Sequence, residues 1–219
     1  IIYSNIRKFV YYLISCNVGE ILVIFLAMLF GFPVPLRPVQ LLVLNLVTDG
    51  APALALGLEK GDPDIMTQPP RPTKEPVINS EMLIGTIVQG VVITVAVLVA
   101  YYWALGRYPD HVDHAQTVAF VCLSLAQLPM AIAARSQRHS IFTIGFRSNM
   151  WMLWAVTGST LIVLILVYVP FLQPFFDTVP LNLIDWAVAA PLVFTPAASA
   201  EVTKIFLRRR ARRREPALS

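Results

Sequence analysis

Six apolar stretches, each close to the ~20 residues a helix needs to cross a bilayer, set the frame of this chain. They run about Phe9–Phe30, Leu36–Gly57, Met82–Ala104, Ala115–Ala134, Met150–Leu172 and Leu183–Phe206. The pattern predicts an all-α membrane fold. Six transmembrane helices over residues 1–207 pack as hairpins in a bundle, and a basic cytoplasmic tail follows at 208–219. Only 14% of the 219 residues are charged, against ~25% in soluble domains. A large soluble helical domain is a poor fit. The first run is also too long for a signal peptide core, and it carries Asn17 and Glu20. The chain begins at Ile1 and reads as a piece of something longer, entered just before a helix.

Lysine and arginine fix an expected orientation. Of 17 such residues, only Arg37 and Arg107 fall on one side of the six spans; the other fifteen fall opposite. The positive-inside bias places both termini and the even-numbered loops in the cytoplasm. The Arg208–Arg214 tail is expected to attract anionic lipid, at ~1 kcal/mol per residue near the surface; a plain topological anchor is the other reading. Because the tail directly follows a span, it does not read as a nucleic-acid or nuclear-targeting element. The Glu59–Glu81 loop holds Asp62-Pro63-Asp64 and Gln68-Pro69-Pro70-Arg71-Pro72. Its prolines favour an extended path. It is either a stiff linker or a docking surface. Cys16 and Cys122 lie in apolar segments without CxxC spacing, which suits small packing residues.

Two carboxylates lie within these spans, and each costs on the order of 2.5–3.5 kcal/mol mid-bilayer. Glu20 sits in Asn17-Val18-Gly19-Glu20, and Asp49 in Asn45-Leu46-Val47-Thr48-Asp49-Gly50. Asn17 and Glu20 are three apart; Asn45, Thr48 and Asp49 stand at i, i+3 and i+4. Each set is expected on one helical face. Gly50 and Pro52 predict a broken second helix, whose freed carbonyls could join a site. Five oxygen-bearing side chains across one hairpin suit a hard cation such as Ca²⁺. Thiolates would suit softer metals, and no Cys-Pro-Cys is present. Interhelical hydrogen bonding alone is the bland alternative. Gln127, two residues before Pro129 in the fourth span, is a further candidate ligand or a packing residue. His111 and His114, with Asp110 and Asp113, read as a solvated outer loop more than a metal cluster.

The same residues resemble a known family. Asn5-Ile6-Arg7-Lys8-Phe9, Ser15-Cys16-Asn17-Val18-Gly19-Glu20, Pro38-Val39-Gln40-Leu41-Leu42, Asn45-Leu46-Val47-Thr48-Asp49-Gly50, Pro52-Ala53-Leu54-Ala55-Leu56-Gly57, Asp64-Ile65-Met66 and Pro69-Pro70-Arg71 resemble the carboxy-terminal transport region of P-type cation-transporting ATPases, the calcium-pump branch above all. Thinner likeness continues at Arg147-Ser148-Asn149-Met150-Trp151, Asp185-Trp186 and Glu201-Val202-Thr203-Lys204. The resemblance implies that the six spans are helices five to ten of a ten-helix pump. It implies that Asn17, Glu20, Asn45, Thr48 and Asp49 are ligands of transported Ca²⁺. It also implies that the Glu59–Glu81 loop meets the phosphorylation domain.

Two departures follow. The Asp-Lys-Thr-Gly phosphorylation motif is not in this sequence, so the chain alone is not expected to hydrolyse ATP. ATP and Mg²⁺ would engage only helices and cytoplasmic domains outside it. Second, the glutamate that two-site sarcoplasmic-type pumps carry on the helix matching the fourth span is Gln127 here. With one glutamate expected from helix four, three negative charges would face the ions. Two Ca²⁺ would leave a positive charge uncompensated in a low-dielectric site. One Ca²⁺ per cycle is the expectation. Burial disfavours a bare carboxylate once the ion leaves, which makes H⁺ counter-transport its corollary. Ca²⁺ export across a bacterial-type plasma membrane, or across an organelle membrane, is the leading reading. Mn²⁺ or Na⁺ could use similar oxygens. A passive six-helix cation transporter and a non-transporting truncated or split-pump module are the alternatives.

Overall fold

The computed structural model describes residues 2–60, 77–78, 80–136, 143, 145 and 148–214. Most of the Glu59–Glu81 loop lies outside them, as do Arg138, Arg147 and the side chains of Arg208–Arg214. Among the described residues all regular structure is helical, and six segments are long and apolar enough to cross a membrane: Ile2–Leu29, Pro38–Gly57, Met82–Arg107, Val112–Ala133, Met150–Tyr168 and Leu183–Phe206.

Helix α1 (Ile2–Leu29) begins two turns before the first apolar run, so Arg7 and Lys8 are helical and buried. It ends in a Schellman motif: Gly31 N donates to Met28 O at 3.0 Å and Phe32 N to Ala27 O at 2.9 Å. The motif needs a left-handed residue, and Gly31 supplies it at φ 77°. Pro33 and Pro35 stop the helix from resuming. Pro38 then opens the second span at a position where its missing N–H is no loss.

The second span is irregular, and the irregularity starts before Gly50. Helix α2 (Pro38–Val43) passes into a π turn at Leu44–Thr48, and α3 (Gly50–Gly57) follows Asp49. Asp49 N donates to Leu44 O, five residues back, at 2.9 Å. Such π turns inside α-helices are often found at functional sites. Pro52 gives Thr48 O no N–H, so that carbonyl needs another donor.

Helix α4 (Ser80–Arg107) packs along α1 more extensively than any other pair. Glycine makes this approach close. A Cβ on Gly90 would stand 2.7 Å from Val18 Cγ1, and one on Gly85 2.9 Å from the Tyr11 hydroxyl. Helix α5 (Val112–Ala133) is the central post of the bundle: every residue from Ala115 to Leu128 is buried.

The last two spans differ from the sequence reading. Helix α6 (Met150–Tyr168) stops short of Leu172, because Val169 precedes Pro170 and is extended (φ −86°, ψ 111°). The short α7 (Gln173–Phe176) follows. The sixth span is two helices, α8 (Leu183–Val193) and α9 (Thr195–Arg214), which meet at Phe194 between Pro191 and Pro196. Helices α4, α6, α8 and α9 all pack on α5.

Candidate ion site

Three elements bring their polar side chains together inside the bundle. Glu20 comes from α1, Thr48 and Asp49 from the π turn and its exit, and Gln127 from α5. Thr48, Asp49 and Gln127 are fully buried, and Glu20 is 4% exposed. Both oxygens of Glu20 accept from amides. Gln127 Nε2 donates to Oε1 at 2.9 Å, and Asn45 Nδ2 donates to Oε2 at 3.1 Å. The Gln127 carbonyl faces the other way, towards the Thr48 hydroxyl at 3.4 Å. That hydroxyl also donates to Leu44 O at 2.9 Å, the carbonyl at the head of the π turn.

Asp49 has a different environment. Its Oδ1 meets the Tyr12 hydroxyl at 3.4 Å, and its Oδ2 has no hydrogen-bond partner among the described residues. A buried carboxylate oxygen left without a donor is costly unless something else fills its place. The Tyr12 hydroxyl also lies 3.3 Å from Thr48 O, the carbonyl that Pro52 leaves without an N–H. Sequence reasoning missed this tyrosine. Tyr12, Cys16 and Glu20 stand four apart and are all buried on α1. That spacing was the available signal, although an aromatic at helical period more often marks plain core.

The two asparagines behave differently. Asn17 is exposed and donates to Leu13 O on its own helix at 2.8 Å. Three-residue spacing from Glu20 does not bring it to the buried carboxylate. Asn45 is also exposed, yet it reaches Glu20 while donating to Leu41 O at 3.0 Å. Ser124, one turn before Gln127, is fully buried, and its hydroxyl has no partner among the described residues.

At the opposite end of α5 the histidines separate. His111, Asp110 and Asp113 are exposed. His114 instead meets Asp185 Oδ2 at 2.9 Å and stacks on Tyr108 with ring centres 4.0 Å apart. Asp185 is fully buried and also accepts from Asn182 N at 2.8 Å, capping α8. Asp113 and His114 thus lie in the first turn of α5 and not in the expected loop, and His114 is committed to packing. No group of three or more His, Cys, Asp or Glu side chains placed to hold a metal occurs among the described residues. The buried centre offers two carboxylates with hydroxyl, amide and backbone oxygens, a donor set for a hard cation.

Glu20 on α1 and Asp49 on the irregular second span thus put two buried acids inside a bundle of candidate membrane spans, the class of a multi-pass helical membrane protein. Residues 33–206 match the cation transporting ATPase C-terminus family, and the chain belongs to it. It is 42% identical over 195 residues to a calcium-transporting ATPase of Bacillus subtilis (strain 168), covering 89% of this chain and 22% of that protein. Calcium-transporting ATPase 1 of Bacillus cereus (strain ATCC 10987 / NRS 248) is 36% identical over 219 residues, covering 93% and 24%. Human calcium-transporting ATPase type 2C member 1 is 32% identical over 203 residues, covering 93% and 22%. The chain thus spans less than a quarter of the length of these relatives. It is the C-terminal, multi-pass membrane region of a P-type cation ATPase.

Proposed function

We propose that this segment holds the transported ion of an ATP-driven pump that exports Ca²⁺ from the cytoplasm. The observation that carries the reading is Asp49: a fully buried carboxylate, at the exit of a π turn, whose Oδ2 lacks a donor among the described residues. An ion there would take Asp49 and Thr48 as its core ligands. Glu20 and Asn45 lie beside them and would join by turning the Asn45 amide so that its oxygen faces inward. Asn17 would need a rotamer change or a neighbouring helix to contribute. Gln127 would serve mainly by holding Glu20, since its nitrogen faces that carboxylate.

Kinship to proteins named calcium-transporting ATPases supports Ca²⁺ as the substrate. The positive-inside bias supports termini in the cytoplasm, with residues 208–219 as a basic tail against anionic lipid. The Glu59–Glu81 loop would meet the phosphorylation domain, and ATP and Mg²⁺ would act only there. A bacterial-type plasma membrane is the proposed location. Gln127 is neutral, so the acids of this segment balance one divalent ion. The cycle is proposed to move one Ca²⁺, with protons returning on the vacated acids. Reconstituting the longer protein in vesicles and counting Ca²⁺ moved per ATP tests this. A ratio near one supports it, and a ratio near two refutes the single site. No Ca²⁺-dependent ATP hydrolysis at all refutes the ion.

A further inference from the structure

At the far end of α3 from Asp49, a second buried polar cluster joins four helices. Glu59 lies just past α3 and Arg135 just past α5, with side chains 3% and 1% exposed. Arg135 Nε donates to Glu59 Oε2 at 2.8 Å and Nη2 to Oε1 at 2.9 Å, a two-pronged fork. Its Nη1 reaches Gly145 O at 3.0 Å, and Nη2 also bonds Ser148 Oγ. Asn149, the N-cap of α6, donates through Nδ2 to Glu59 Oε2 at 2.8 Å and to Ala55 O at 3.0 Å. Asn5 of α1 donates to Glu59 O at 2.6 Å and Gly57 O at 3.2 Å.

The last carbonyls of α3 therefore receive their donors from α1 and α6, and its exit residue is gripped from α5. A buried ion pair is weak as a source of stability, because desolvation offsets the attraction; well-packed apolar side chains often do as well. What the fork supplies is direction and register. Helix α3 is a short rod, about 12 Å long by its rise per residue. Asp49 sits at one end and this cluster at the other. Sliding or turning α3 to accommodate an ion would break four to six charge-assisted or amide hydrogen bonds.

We infer that Glu59 and Arg135 are positioning residues for transport. They keep α3 in register with α1, α5 and α6, so that displacement of Asp49 moves the bundle end at Lys60 instead of being absorbed by slippage. The inference rests on the ion-site reading above. Neither residue touches the ion; both act through α3.

The test uses the full-length pump in vesicles, with equilibrium ⁴⁵Ca²⁺ binding and Ca²⁺ moved per ATP read on the same preparations. The double variant Glu59→Gln/Arg135→Met removes both charges, so no unpaired charge stays buried. Arg135→Lys keeps the charge but loses the fork. For the double variant we expect binding affinity within about twofold and Ca²⁺ per ATP lowered about threefold or more. Arg135→Lys should move the same way by less. An unchanged ratio overturns the inference, as does parallel loss of binding and transport. Failure of both variants to accumulate in the membrane assigns the pair to stability alone and also overturns it. If the unmodified pump neither binds Ca²⁺ nor is activated by it, the ion-site reading fails first and takes the inference with it.

Discussion

Gln127 Nε2 donates to Glu20 Oε1 across 2.9 Å, and the opposite face of the same amide turns to Thr48. One neutral side chain therefore links the carboxylate of α1 to the π turn of the second span. Replacing it by glutamate puts two carboxylates at hydrogen-bond distance, and they cannot both remain ionised without a cation or proton between them. We expect Gln127→Glu in the full-length pump to raise bound Ca²⁺ from about one towards two per phosphorylation site. Equilibrium ⁴⁵Ca²⁺ binding reads this directly. An unchanged count would show that the charge at this position does not set the stoichiometry.

Asp49→Asn keeps the size of the side chain and removes its charge. If Asp49 is the central acid, Ca²⁺-dependent phosphorylation from ATP should be lost. Retained Ca²⁺ activation in this variant would remove Asp49 from the site.

Tyr12→Phe tests the residue that sequence reasoning passed over. It leaves Thr48 O without the hydroxyl that serves it and frees Asp49 Oδ1. A hydrogen bond of this kind contributes about 1 kcal/mol, so the half-activating Ca²⁺ concentration should shift about fivefold. A maximal rate that falls with no shift in half-activation would assign Tyr12 to a later step.

Gly90→Ala addresses the α1–α4 contact. The new methyl would stand 2.7 Å from Val18 Cγ1. Overpacking of this kind costs about 1–3 kcal/mol, which should appear as a lower Tm in detergent. Adding Val18→Ala should recover most of the loss. If the double variant is no more stable than Gly90→Ala alone, the two side chains do not oppose each other.

Much of the scaffold was legible because bilayer length and proline placement are strong signals. The six apolar runs and the break in the second span follow from them. Finer features depend on contacts that no local spacing encodes. Val169 ends α6 because Pro170 follows it, a local rule that the uninterrupted apolar run masked. The π turn at Leu44–Thr48 arises one turn before the Gly50/Pro52 pair, where neither residue marks it. Asn17 was grouped with Glu20 by its spacing, but three residues on a helix leave about 60° between side chains. That angle is enough to put Glu20 inside and Asn17 outside. Glu59 and Arg135 are 76 residues apart. Each reads as an ordinary loop charge until the fold brings them together.

Asn17 and Asn45 are exposed on spans whose other exposed side chains include Phe25, Leu42 and Leu46. Each Nδ2 is served inside the protein, Asn17 by Leu13 O and Asn45 by Leu41 O and Glu20, but lipid offers the amide oxygens no partner. Made on its own, this segment would carry two polar marks facing hydrocarbon. A membrane quality-control protease could recognise it as an unassembled part. Co-expression with the preceding membrane helices should then lengthen its lifetime in the cell. These two exposed asparagines would thus also report whether the segment has been assembled with the helices before it.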